Sequence, residues 1–221
     1  MLEEIAPIGL HEWLLPRVLS LEGIGPDSRV LDFGCGTGAW LERLYACNFR
    51  ALTGIDRRAD DFSATSKAHF ICCDLDQPVT AELGTYDLIT AIEIIEHVAN
   101  PEALVALADS HLAPNGWLVI TTPNIYSIGT RFRFLVTSEL LTFEGDKYCN
   151  PEHIHPFLLE AFKRVILPRY RLRLEKTVGY VRADEGARWR RFTKRGLAMV
   201  FGESVRGESL CIFLRKNCIQ R

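Results

Sequence analysis

The sequence predicts an α/β fold in a single domain, a mostly parallel sheet covered by helices on both faces, and three observations carry that prediction. Short runs rich in Val, Ile and Leu alternate with helical segments along most of the chain. Strands that read as unbroken apolar runs belong to sheets buried on both faces. The 221 residues suffice for one well-buried core and fall short of two full domains with linkers. Finally, a glycine-rich turn follows the first such strand directly, at the rim where open α/β sheets take their ligands.

An amphipathic helix is expected over residues 9–20, with Trp13, Leu14, Val18 and Leu19 on its apolar side. Arg29–Phe33 reads as a short buried strand, and a helix over 39–47 follows the glycine turn. The second strand ends at Gly54, Ile55 and Asp56; the third covers 69–73 and the fourth 87–92. Asn100 is a natural helix cap, and Pro101 suits the first turn, where its missing N–H is not needed. That helix is expected to reach about residue 112, before Asn115 and Gly116 turn the chain into a fifth strand over 117–121. Beyond Pro123 the rhythm breaks. Residues 124–152 are too long for a plain connection, so short helices are expected there, forming a mobile cap or substrate insertion. A helix over 156–167 and strands over Leu172–Tyr180 and 209–215 close the single domain that spans 1–221. No long helix is evident between the last two strands, which are therefore expected as antiparallel neighbours at the sheet edge.

Composition narrows the class. Hydrophobic residues make up 48% and charged residues 24%, and no apolar stretch is long enough to span a bilayer. The opening MLEEIAPIGLHEW carries acids where a secretory or transit signal would not. Seven cysteines form no CxxC pair, which points to reduced thiols and a cytoplasmic location. Charge is uneven. Residues 1–162 hold 10 Lys/Arg against 23 Asp/Glu, whereas 163–221 hold 16 against 5. The basic C-terminal segment, with Arg188, Trp189, Arg190 and Arg191, is either a solvated face or a surface for an anionic partner such as nucleic acid.

The segment VLDFGCGTG runs from a buried strand into Gly34, Gly36 and Gly38, and glycines let a backbone approach a ligand closely. Gly34 and Gly36 with Ala39 also satisfy the dinucleotide fingerprint, and Asp56 stands near where a ribose-binding acid belongs. Three features favour S-adenosylmethionine over a dinucleotide. Asp32 puts an anion just before the turn, where it would repel a pyrophosphate but suit a cationic amino-acid end. Asp74 adds a second acid on the same rim. The chain also lacks the length for the separate substrate domain of many dehydrogenases.

VLDFGCGTG, GID at 54–56, CCDL at 72–75, YDLITAIEIIEHV at 86–98 and LAPNGWLVITTPN at 112–124 occur in an order that resembles the class I, Rossmann-like methyltransferase superfamily. Within it, the chain is similar to the subgroup that includes ubiquinone-biosynthesis and other small-molecule O-methyltransferases. The resemblance covers roughly residues 28–167. It implies a doubly wound sheet of about seven strands with an antiparallel last strand. It also implies that Asp56 holds the ribose hydroxyls, that Cys73, Asp74 and Leu75 flank the adenine, and that the three glycines pass beneath the methionine part. Asn115-Gly116 departs from the family's usual glycine pair, and Asn tolerates the same left-handed turn.

An activated methyl group needs a nucleophile in line and, for a hydroxyl acceptor, somewhere for the proton to go. Glu93, His97 and His153 are the candidate catalytic residues, with His155 and Tyr148 behind them. Glu-x-x-Glu-His with a later histidine resembles the metal set of small-RNA 2′-O-methyltransferases, which makes Glu93, Glu96, His97 and His153 candidate ligands for Mg²⁺ or Mn²⁺. The expected activity is methyl transfer to an oxygen of a small molecule or glycan-type intermediate. Metal-assisted RNA ribose methylation and a non-catalytic cofactor-binding regulatory protein are the alternatives.

Overall fold

The computed structural model describes residues 2–140, 143, 153–182 and 207–218. Its strands are β1 (Arg29–Phe33), β2 (Ala51–Asp56), β3 (His69–Cys72), β4 (Tyr86–Ile92), β5 (Leu112–Pro123), β6 (Leu172–Tyr180) and β7 (Ser209–Lys216). They form one sheet in the order β3-β2-β1-β4-β5-β7-β6. β1 to β5 pair in parallel, and β7 runs antiparallel between β5 and β6. The order reverses direction at β1, so the ends of β1 and β4 border the crevice where doubly wound sheets bind ligands.

Side-chain alternation sorts the strand residues into two cores. Leu31, Phe33, Ile89, Leu118, Ile120, Ile212 and Leu214 face one way, under the helix α3 (Pro101–His111) and the aromatic pair Phe157 and Phe162. Val30, Leu88, Val119, Cys211 and Phe213 face the other, under α1 (Leu10–Leu19) and α2 (Ala39–Ala46). Leu10, Leu14 and Val18 of α1 recur at helical spacing and are fully buried. Asn100 caps α3 as expected, its side chain accepting from Glu102 N and Ala103 N.

Three expectations change, the first being Leu19, which is 39% exposed and so falls off the apolar side of α1. The turn at Asn115 and Gly116 lies inside β5, where the register against β4 jumps from Leu112 to Trp117 and Asn115 takes φ 63. A Cβ at Gly116 would meet the Ala113 carbonyl at 2.9 Å, so the bulge needs glycine there. The helix expected over 156–167 begins later and is irregular. Leu159–Ala161 is α-helical, Phe162–Ile166 widens to a π turn and Leu167–Arg169 tightens to a 3₁₀ turn. Leu159 N donates to the Tyr126 hydroxyl at 2.7 Å, which fixes the start, and Pro168 cannot donate within the last turn.

Residues 124–140 contain a helix, α4 (Ile128–Thr137), capped by the Ser127 hydroxyl. Residues 144–152, with Tyr148, and the basic residues Arg188 to Arg191 lie outside the described residues. Among the described residues no helix is long and apolar enough to cross a membrane, and the six cysteines there are free thiols.

Candidate active site

The chain turns sharply after β1. Gly34 N and Cys35 N both donate to the Ile55 carbonyl, at 2.8 and 3.0 Å, and Gly38 N closes the turn on Cys35 O at 2.8 Å. All three glycines take positive φ, 67 at Gly34, 49 at Gly36 and 82 at Gly38. A Cβ at Gly34 or Gly38 would also lie 2.6 Å from Ile94 or Ala64, so both backbone and space demand glycine.

Acids ring this turn. Asp56, ending β2, accepts from Gly36 N at 2.9 Å and from Arg58 N at 3.0 Å. Asp32 is 3% exposed and accepts from the Thr90 hydroxyl at 2.6 Å. Burial pushes its carboxyl up to about 7, against the pull of Thr90. Past β3, Cys73 N binds the Asp56 carbonyl, and Asp74 accepts from Asp76 N at 3.0 Å. Asp76 in turn accepts from Ala99 N at 2.7 Å, tying this loop to the one after β4. Asp32, Gly34, Gly36, Asp56, Cys73, Asp74 and Leu75 line a cavity of about 840 Å³. Gly38 supports the turn without lining the cavity.

Glu93, His97 and His153 line the same cavity. Glu93 takes φ 50 as the chain leaves β4, its N–H donating to the Thr121 carbonyl at 3.1 Å. Burial pushes its carboxyl up to about 7, opposed by the nearby Thr121 and Ser209 hydroxyls. Glu96 is fully buried, and neither of its carboxylate oxygens has a hydrogen-bond partner. Burial, then the charge of Glu93, pushes it well above the usual carboxylate range. The Glu96 carbonyl accepts from Ile154 N at 2.9 Å and His155 N at 3.1 Å, which draws a distant stretch of chain alongside β4. His153 therefore meets His97, ring centroids 4.6 Å apart. One ligating atom from each of Glu96, His97 and His153 falls within 4.8 Å of the others. Glu93 stands outside that group. His155 turns to the Ala99 carbonyl at 3.1 Å and does not line the cavity.

Residues not anticipated from the sequence complete the wall. Glu4 to Ile8 cross the glycine turn, fastened by the Thr37 hydroxyl on Glu3 O at 2.7 Å and by Arg43 on Glu4. His11 and Trp40 line the cavity beside them. The one available signal was a histidine three residues before Leu14, on the apolar side of α1.

Residues 11–166 match the family model described as a methyltransferase domain. The chain belongs to that family. This methyltransferase domain is 30% identical over 131 residues to a ubiquinone biosynthesis O-methyltransferase of Bordetella avium, covering 56% of the chain and 52% of that protein. The chain spans about half the length of the curated Bordetella relatives it matches. An S-adenosylmethionine dependent methyltransferase of Mesorhizobium loti superposes with a TM-score of 0.63 at 16% identity, over 94% of this chain and 99% of that one. The N-methyltransferase NodS of Bradyrhizobium japonicum, in complex with S-adenosyl-l-homocysteine, gives 0.56 at 20% identity, over 93% and 85%. These two likenesses establish the shared fold, and the sheet order above agrees with the seven-stranded arrangement expected from the motifs.

Proposed function

We propose that this chain binds S-adenosylmethionine and transfers its methyl group to an oxygen of a small molecule or glycan-type intermediate. The observation that carries this reading is one continuous cavity, running from Asp32, Asp56 and the glycine turn to Glu93, His97 and His153. S-adenosylmethionine supplies a methyl group already activated on a sulfonium. Asp32 faces the cationic amino-acid end, and Asp56 accepts from the ribose hydroxyls with lone pairs its two backbone bonds leave open. Cys73, Asp74 and Leu75 flank the adenine. At the other end His97 or His153 takes the acceptor's hydroxyl proton on a ring nitrogen, as a general base. Glu93 orients the pair, and the buried walls exclude water. Oxygen as the accepting atom is supported by the O-methyltransferase relatives. Titration calorimetry with S-adenosylmethionine and NADH tests the cofactor; tight NADH binding with no S-adenosylmethionine binding would overturn the reading.

A second reading adds a divalent ion held by Glu96, His97 and His153. It is favoured by the two unpartnered oxygens of the buried Glu96 beside two imidazoles. A buried carboxylate without a partner is costly, and one carboxylate with two histidines suits Zn²⁺, Mn²⁺ or Co²⁺. Such an ion would act as a Lewis acid toward the acceptor oxygen. Metal analysis of purified protein and activity in excess chelator separate the readings. Full activity with no bound metal leaves the histidine base alone.

A further inference from the structure

A second recess lies at the opposite end of the strands from the glycine turn. β1 to β4 begin at Arg29, Ala51, His69 and Tyr86, and these four residues line a cavity of about 420 Å³. That volume lies in the range of small-molecule sites. Arg50 and Lys67 join them, and no Asp or Glu lines it. The composition runs against its surroundings. Residues 1–162 carry 10 Lys/Arg against 23 Asp/Glu, yet three of those cations meet here without an acid between them. The cavity beside the glycine turn, by contrast, has six Asp and Glu residues on its wall.

The two guanidinium groups are positioned without being neutralised. Arg29 lies over the Tyr86 ring, 5.3 Å from its centroid, and against Gly84, where a Cβ would collide with Nη2. Arg50 Nη1 donates to the Tyr45 and Phe49 carbonyls at 2.9 and 2.8 Å, and the group stacks 4.2 Å from the Tyr45 centroid. Carbonyls orient a charge but do not cancel it. Among the described residues, no carboxylate forms an ion pair with Arg29 or Arg50. The nearby acids are engaged: Glu42 pairs with Lys67, and Asp87 accepts from the Arg29 backbone N–H at 2.8 Å. Among the described residues the Arg29 guanidinium donates to no acceptor, and the Thr53, Thr65 and Ser66 hydroxyls add donors on the same wall. So many donors exceed what one carboxylate can accept. They match a run of phosphates, whose oxygens take an arginine fork in pairs. We propose that this recess binds an oligophosphate, bare or carried by a nucleotide, with Arg29 and Arg50 holding its charge and the hydroxyls its remaining oxygens. The site is independent of the cofactor reading above.

Calorimetry with sodium tripolyphosphate at low ionic strength is the test, with ATP alongside and a second series run in saturating S-adenosylhomocysteine. A single tripolyphosphate should bind per chain, and S-adenosylhomocysteine should change its affinity by less than about twofold. Arg29→Gln and Arg50→Gln should each weaken it at least about tenfold, as for a lost hydrogen bond to a charged group. Ser66→Glu, which puts an acid on an exposed part of the wall, should abolish binding. Arg173→Gln on β6 removes the same charge from a remote exposed position and should change affinity by less than about twofold. Thermal melting reports folding, and Ser66→Glu carries the test if an arginine variant unfolds. ATP binding more tightly than tripolyphosphate assigns the ligand to nucleotides, and ATP binding no more tightly assigns it to bare oligophosphates; either supports the site. No tripolyphosphate binding, an equal loss in Arg173→Gln, full binding by Ser66→Glu, or displacement by S-adenosylhomocysteine would overturn it.

Discussion

The two ends of the cavity are built on opposite terms. Around the glycine turn the acids are met: Asp56 takes two backbone N–H groups, Asp32 a hydroxyl and Asp74 a backbone N–H. At the histidine end they are not: one oxygen of Glu93 and both of Glu96 are buried without a partner. The first end is preorganised and needs little rearrangement to receive a ligand. The second holds polar groups that a proton, an acceptor or a cation must satisfy. The difference teaches where generality and specificity reside. The matched end suits a ligand common to many relatives, and the unmatched end suits whatever is particular to this chain.

That contrast can be broken or sharpened. The largest effect should come from the unmatched end. His97→Ala combined with His153→Ala is expected to lower turnover by roughly 10²–10⁴-fold while leaving S-adenosylmethionine affinity unchanged. Labelled-methyl transfer to a panel of small hydroxyl compounds and sugars, run beside calorimetry, reads both. A matching loss of cofactor affinity would dissolve the division between the ends.

Asp32→Asn comes next. Burial holds Asp32 near 7, above 3.8, so the folded chain keeps a proton that the unfolded chain releases. Stability attributable to this group therefore falls as pH rises from about 4 to about 7. The asparagine variant should lack that loss and be more stable at pH 8 by on the order of a few kcal/mol, yet bind the cationic cofactor more weakly. Denaturant melts at pH 5 and 8 check the sign. Stability that runs parallel in the two proteins would mean the carboxylate is better solvated than its surroundings indicate.

Asp56→Ala should weaken S-adenosylmethionine by roughly 1–3 kcal/mol without slowing the methyl-transfer step at saturating cofactor. A drop in turnover alone would place Asp56 functionally with the other end. The smallest effect is a control remote from both. Asn100→Ala removes the α3 cap and should cost about 1 kcal/mol of stability with cofactor affinity unchanged. Loss of binding there would mean that neither end is as independent as its hydrogen bonds imply.

The matched end was legible in the sequence because its parts are local. A glycine that must turn, an acid at a strand end and an asparagine before a proline each declare themselves within a few residues, and β1 through β4 fell within a residue or two of expectation. The pairing of His97 with His153 came only through resemblance, since the bond that makes it joins residue 96 to 154 with no local period to read. His11 and Trp40 were missed for the same reason. Each looks like an ordinary helical residue until α1 and α2 are brought together. The irregular turns after Leu159 were hidden too, because helical apolar spacing does not report that Tyr126 receives the first N–H.

The main-chain tie at Glu96 has a consequence for how such a chain can change. Asn124 N is anchored to the Glu208 carbonyl at 2.7 Å, and Ile154 N and His155 N to that of Glu96. Asn124 and the Ile154–His155 pair are thus two fixed posts, neither of which depends on a particular side chain for its backbone bonds. Lengthening a loop between fixed ends costs little, about 0.6 kcal/mol for each doubling. Because the posts are main-chain bonds, substitutions of side chains at Asn124, Ile154 or Glu96 leave intact the ties that set His153 opposite His97.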